Sequence, residues 1–184
     1  MKNLTATAML AIGTLAACHS EPQVDVKNAS VAEVANQVAD ATAKDDFMIR
    51  PGKWQSTVTI EDVKAPGMPV EMAARMKGMM GSGQSHETCL TEAEAKRPSE
   101  DFFAGKNDQC RYDHFKMGDG KIDAKMTCAQ QGVSQVMEMA GDYAPDNYRM
   151  TMQTYTEGGG PAGGMTMKMR VDSKRVGECT AKTS

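Results

Sequence analysis

Apolar and polar residues alternate along much of this chain at the two-residue period of β-strands. In the segment 54–63, Trp54, Ser56, Val58 and Ile60 share one side, and Pro66-Gly67 and Pro69 end the run. Segments 110–117 and 121–128 flank Gly118-Asp119-Gly120 and predict a hairpin. Pairing about Asp119 sets Tyr112 opposite Met126, His114 opposite Ala124, and Lys116 opposite Ile122. One side then holds Cys110, Tyr112, Ile122, Ala124, Met126 and Cys128, while Arg111, Asp113, Lys121, Asp123 and Lys125 fall mostly on the other. A sheet with one dry face and one wet face requires that division. Two more hairpins follow. One joins 133–143 to 148–155 across Ala144-Pro145-Asp146-Asn147; the other joins 148–155 to 165–171 across the glycine-rich 158–164. Met150 and Met152 alternate with Thr151 and Gln153, and Met165, Met167, Met169 and Val171 alternate with Thr166, Lys168 and Arg170. A helix is predicted over 70–80, where Met68, Met72, Met76 and Met80 recur at i, i+4. Segment 87–90 reads as a short strand, and Thr91-Glu92-Ala93-Glu94 as a capped helical turn closed by Pro98. The predicted fold class is mainly β: an antiparallel meander of about six strands or a partly open barrel, with one or two short helices.

The beginning of the chain has a different character. Lys2 is followed by an apolar stretch over 4–16 and then Leu15-Ala16-Ala17-Cys18. A membrane-spanning helix needs about 20 apolar residues, so this stretch fits a cleaved signal peptide instead. The ending resembles the lipobox of bacterial lipoproteins, which implies that Cys18 carries lipid and becomes the first residue of the mature chain. Each buried methylene adds about 0.8 kcal/mol, so several acyl chains anchor firmly. His19 occupies the place where an Asp in enteric bacteria favours inner-membrane retention, which points to the periplasmic face of the outer membrane. The expected organisation is a signal peptide over 1–17, a lipidated cysteine and tether over 18–49, and a β-rich domain over 50–184. Within the tether, Ser30 and Glu33 match a capping-box start, and Val31, Val34 and Val38 recur at helical spacing. Both a short amphipathic helix and an alanine-rich disordered spacer fit.

Composition narrows the reading. The net charge is −3 and there is no Lys/Arg-rich segment, so nucleic acid is not an expected partner; the membrane, through the lipid anchor, is. From Arg50 onward there is one Leu, Leu90, and two Ile, Ile60 and Ile122, against 14 Met. Methionine must therefore fill much of the core, and its flexible thioether fills irregular gaps while specifying packing poorly.

Five cysteines are present. With Cys18 lipidated, Cys89, Cys110, Cys128 and Cys179 remain, and an exported chain is expected to join them in two disulfides. Three pairings are open to four cysteines. The hairpin register favours Cys110 with Cys128, because they fall opposite each other, within reach of a bridge; Cys89 with Cys179 follows by elimination. A one-residue shift of the loop would break that pairing. No Cys-x-x-Cys and no zinc-module spacing occurs.

The sharpest chemical candidate is copper(I), which soft thioethers suit. Met150, Met152, Met165, Met167 and Met169 are candidate ligands on paired strands, and Met72, Met76 and Met80 form a second set on the helix. A plain methionine core fits the same alternation. A third reading is a carrier whose methionine-lined sheet holds an apolar or lipid ligand. His19, His86 and His114 form no cluster in sequence, and His114 reads as a packed histidine on the apolar face of the hairpin. Ser85-His86-Glu87 has triad residue types without a nucleophile elbow. Asp45-Asp46 and Glu92/Glu94 read as solvated charges. The expectation is a non-enzymatic binding or interaction module without a cofactor.

A resemblance completes the picture. Pro51-Gly52-Lys53-Trp54, Cys89-Leu90-Thr91, Gly120-Lys121-Ile122 within the Cys110–Cys128 hairpin, Tyr148-Arg149-Met150-Thr151-Met152 and Arg175-Val176-Gly177-Glu178-Cys179 appear in order. This set resembles domain-of-unknown-function family 3617, bacterial exported proteins that are often lipoproteins. The resemblance implies an envelope location and a disulfide-bonded β-rich domain over 50–179, and transfers no catalytic residue.

Overall fold

The computed structural model describes residues 23–42, 48–80, 83–97, 109–130, 132–157 and 164–179. The signal peptide, Cys18, His19 and Asp45-Asp46 lie outside the described residues. Eight strands form one antiparallel sheet: β1 (Val24–Ser30), β2 (Gly52–Lys64), β3 (Gln84–Leu90), β4 (Cys110–Gly118), β5 (Lys121–Gln130), β6 (Val133–Ala144), β7 (Asn147–Glu157) and β8 (Thr166–Gly177). Three helices accompany them: α1 (Val31–Thr42), α2 (Val70–Met80) and α3 (Glu92–Lys96). Strands β4 to β8 form the meander, then β2 lies beside β8 with β3 outside it, and β1 flanks β4 at the other edge. The sheet is open.

The residues expected to be tether contribute to the fold from Val24 onward. Val24 and Val26 face the core from β1, which pairs with β4 from Val24↔Met117 to Ser30↔Arg111. Asn28 then adopts a left-handed φ of 52°, a conformation asparagine tolerates better than most residues. Ser30 Oγ accepts a hydrogen bond from the Glu33 amide at 3.1 Å and starts α1. The helix buries Val31, Val34, Ala35, Val38 and Ala39. At its end, the Thr42 hydroxyl donates to the Lys96 carbonyl at 3.0 Å, which ties α1 to α3.

One core cluster joins Val24, Ala29, α1, Met48, Ile49, Trp54, Tyr112, Phe115, Met117, Ala124 and Met126. Its members on β1 and β2 stand six strand spacings apart in the sheet order, about 29 Å if the sheet were flat. The sheet therefore curls, and α1 fills the hollow beside β1 and β4.

The Cys110–Cys128 hairpin departs from expectation in an informative way. Its turn has two residues, Asp119 and Gly120, both with positive φ (52° and 69°), as a tight hairpin with native twist prefers. Near the turn the register is consequently one residue off the expected one: Met117 faces Ile122, Phe115 faces Ala124 and His114 faces Lys125. A bulge between Tyr112 and His114 absorbs the difference, so Tyr112 still faces Met126 and Cys110 still faces Cys128. The disulfide Cys110–Cys128 closes this ladder with a Cα–Cα separation of 4.0 Å. Cys89–Cys179, at 5.6 Å, ties β3 to the chain just beyond β8.

The bulge brings Phe115 and Met117 into the core and sends His114 to the opposite face. The expected place of His114 among apolar side chains is corrected accordingly. Its Nε2 lies 2.7 Å from Asp123 Oδ1.

Tyr112 is fully buried, with Phe115 edge-on at 5.5 Å. Burial pushes its phenol up to about 12, while a tyrosine in the unfolded chain titrates near 10. A raised folded value means that this contribution to stability is complete below about pH 10 and is lost as pH rises toward about 12. Urea melts at about pH 9 and about pH 11.5 should therefore differ by about 2 kcal/mol through this group. Tyr112→Phe should flatten that slope; parallel losses in variant and wild type would exonerate Tyr112.

Candidate functional site: the methionine-lined inner face

The strand registers line up apolar side chains in rows across the inner face. One row runs Phe115, Ala124, Met139, Met152, Met169, Ile60. The next runs Tyr112, Met126, Met137, Thr154, Met167, Val63. On the other side lie Met117, Ile122, Gly141, Met150, Val171 and Val58. At the end nearest Trp54, the Ser56 and Ser173 hydroxyls share a 2.7 Å hydrogen bond, and the Trp54 ring stands 5.7 Å from Tyr148.

These rows change character from one end to the other. On β4 and β5 most of their members are buried: Tyr112, Phe115, Met117, Ala124 and Met126 are at most 3% exposed, while Ile122 is half-buried. On β6, β7 and β8, Met137, Met139, Met150, Met152, Met167, Met169 and Val171 are only half-buried. Helix α1 packs on β1 and β4, and α2 beside β2. The dry face of one sheet is thus a closed core on one side and a partly accessible thioether surface on the other.

The bulge that makes this possible on β2 lies between Ile60 and Asp62. It turns Val63 inward opposite Met167 and leaves Glu61 to the outer face. There Glu61 binds Lys168 and Arg170, at 3.1 and 2.9 Å. Arg170 also reaches Asp172 at 2.9 Å, and Asp172 binds Arg149 at 2.5 Å. The Arg149 hydrogen bond holds the Asp172 carboxyl below the usual carboxylate range, against a smaller opposing effect of burial. Farther along, Glu138 pairs with Lys125 and Asp142 with Lys121. Exposed pairs of this kind contribute little to stability; their consequence is a wet outer face. Hollows open on that face, among them one of about 390 Å³ and one of about 520 Å³. The first is lined chiefly by His114, Asp123, Lys125, Glu138 and Gln153, the second by Gln55, Asp142, Arg149, Asp172 and Lys174. Their charged groups largely neutralise one another across the strands.

The methionines singled out from sequence occupy different places. Met152 stands directly opposite Met169. Met150 and Met167 lie on the flanking rows, opposite Val171 and Thr154. Met165 precedes β8 and is 37% exposed. On α2, Met72 is 53% exposed and Met76 half-buried, so the helix stripe is not a buried seam; Met79, off the stripe, is 81% exposed. Met137 and Met139 were overlooked, although Met137-Glu138-Met139 alternates like the other strands. His86 sits on β3 opposite Ser56 and is exposed; strand alternation turns Ser85 and Glu87 away from it. Glu94 closes a capping box with Thr91, whose backbone and hydroxyl both donate to its carboxylate and hold its pKa down. Glu92 pairs with Lys96 at 2.9 Å. Among the described residues no three His, Cys, Asp or Glu side chains gather in a metal-binding group, and no helix is long and apolar enough to cross a membrane.

The profile of a family described as a protein of unknown function, DUF3617, matches residues 49–179. The chain belongs to the DUF3617 family. No curated protein and no solved structure matches it. The match covers β2 through β8 and both disulfides, so the methionine rows lie within the DUF3617 domain, while β1 and α1 precede it.

Gly141 is the one gap in its row of the DUF3617 sheet. A Cβ there would fall 2.2 Å from the Arg149 carbonyl oxygen and 2.9 Å from Met150 Cα. Backbone cannot yield as a flexible side chain can, so Gly141→Ala should pry β6 from β7 and cost about 1–3 kcal/mol. Chemical denaturation measures the loss; unchanged stability would mean that the two strands tolerate a wider spacing.

Proposed function

We propose that this chain is a lipid-anchored protein of the bacterial envelope. It is held through Cys18 at the periplasmic face of the outer membrane, and its curled sheet serves as a non-catalytic binding module. The anchor reading is supported by Lys2, the apolar 4–16 and Leu15-Ala16-Ala17-Cys18. The binding reading is carried by a single observation: the inner face is largely closed on β4 and β5, while its methionines on β6, β7 and β8 are only half-buried. Soft, unbranched side chains can re-pack around a guest of varied shape, and these rows carry few polar side chains. The ligand this surface suits is apolar, such as an acyl chain.

Two measurements test the parts separately. Mass spectrometry of the protein extracted from membranes should find the mature chain starting at an acylated Cys18. The Cys18→Ser variant should move to the soluble fraction; a wild-type chain that is itself released without lipid would sink the anchor.

For the binding module, an apolar fluorescent naphthylamine should bind the exported Cys18→Ser chain. Met152→Lys and Met169→Lys should each weaken it by about tenfold or more, about 1.4 kcal/mol per decade. Unchanged affinity in both lysine variants would place the binding surface elsewhere, and absence of dye binding to the parent chain would count against the module.

A further inference from the structure

The register places Met139, Met152 and Met169 side by side on three adjacent strands, β6, β7 and β8. Side chains directly opposite each other have Cβ atoms about 4.5–5.5 Å apart. Methionine adds rotatable bonds that let its sulfur lean along the row. All three side chains are half-buried, which shields them from bulk water while leaving a way in. A further thioether stands beside each end of the trio, two residues along the same strand: Met137 next to Met139, and Met167 next to Met169. Met150 adjoins the central member in the same way.

We propose that Met139, Met152 and Met169 form a thioether site for a soft monovalent cation, copper(I). This rests on the reading of the inner face as a binding surface and assigns it a second ligand class beside the apolar one. Neutral sulfur donors discriminate against hard cations, which require oxygen, and favour Cu(I) among the first-row metals. Divalent metals that want imidazole, thiolate or carboxylate find no such group of three among the described residues. A single positive charge surrounded by polarizable sulfur also costs less to desolvate than a divalent ion would. Binding transfers no electron and breaks no bond: each thioether donates a lone pair, and the metal sheds the chelator or water it arrived with. The outer-face carboxylates take no part, since they are already bound to Lys and Arg on the far side of the sheet.

The test uses the full Cys18→Ser chain with both disulfides intact, titrated anaerobically with Cu(I) against a chromogenic chelator. Expected are about one Cu(I) per chain with a dissociation constant of about a micromolar or tighter. The ε-methyl carbon resonances of Met139, Met152 and Met169 should shift while those of exposed Met72 and Met79 stay in place. The triple variant Met139→Leu, Met152→Leu, Met169→Leu keeps volume and apolarity but has no thioether. It should weaken Cu(I) by about a hundredfold or more while still binding the naphthylamine dye, which also reports that it has folded. Dye binding by the parent chain without Cu(I) binding would overturn the copper site and leave the binding face standing. Equal Cu(I) affinity in the leucine variant would overturn the assignment of these three residues. Loss of both dye and Cu(I) binding in the parent chain would remove the underlying reading as well.

Discussion

Strand register is the constraint on which everything else in this molecule depends. A slip of one residue in any ladder would carry that strand's apolar set to the wet side and its charges into the core. The chain holds register by several means. Cys110–Cys128 fixes the β4–β5 ladder, and Cys89–Cys179 ties the end of β3 to the chain leaving β8. Three register shifts, at Asp113, near Glu61 and between Lys53 and Trp54, take up the extra residues that turn and strand geometry demand. The outer face adds a chemical check, because Glu61, Asp172, Glu138 and Asp142 meet basic partners on neighbouring strands. A slipped strand would forfeit its pairs and expose its methionines together, so weak surface pairs still discriminate between registers.

Within that frame the core is built unevenly. On the β4–β5 side, α1 and β1 supply Val24, Val31, Val34 and Val38, branched side chains with few rotamers. They close over Tyr112, Phe115 and Met126, where burial is essentially complete. The residues that perform this closure lie before the DUF3617 match, which begins at residue 49. The matched segment contributes the sheet and its methionines, and the preceding strand and helix determine which part of the inner face is sealed.

How much of this was legible depends on whether a feature is local. The β4–β5 hairpin was readable because charge and apolarity alternate within a few residues of a turn signal. The cysteine pairing followed from the same local pattern. The exchange of His114 for Phe115 was not readable: the two-residue Asp119-Gly120 turn and the Cys110–Cys128 pairing demand different registers, and only a bulge reconciles them. Strand β1 was hidden because Val24-Asp25-Val26-Lys27 is a short run whose pairing partner, β4, lies far along the chain. Met139 illustrates the remaining gap. Its alternation was visible, but its place beside Met152 and Met169 follows from two ladders, each set by a turn or loop elsewhere. The exposure of α2 was likewise beyond the i, i+4 pattern, which says that methionines share a stripe and not what covers it.

The choice of methionine over leucine bears on what the inner face is for. A face needed only as a closed core would be specified better by Leu, Ile or Val, whose restricted rotamers favour one packing. This chain can use such residues, since α1 is lined with valine and Val63 and Ile60 are buried on β2. On β6, β7 and β8 it places methionine instead, and there those side chains are only half-buried. There the flexibility that makes methionine a poor specifier of packing becomes an advantage, because the surface must accommodate a guest and still tolerate its absence. The register that protects the core thus also sorts many side chains by use: branched and aromatic ones gather, with Met117 and Met126, where the fold must be unique, and half-buried thioethers line the part that must adapt.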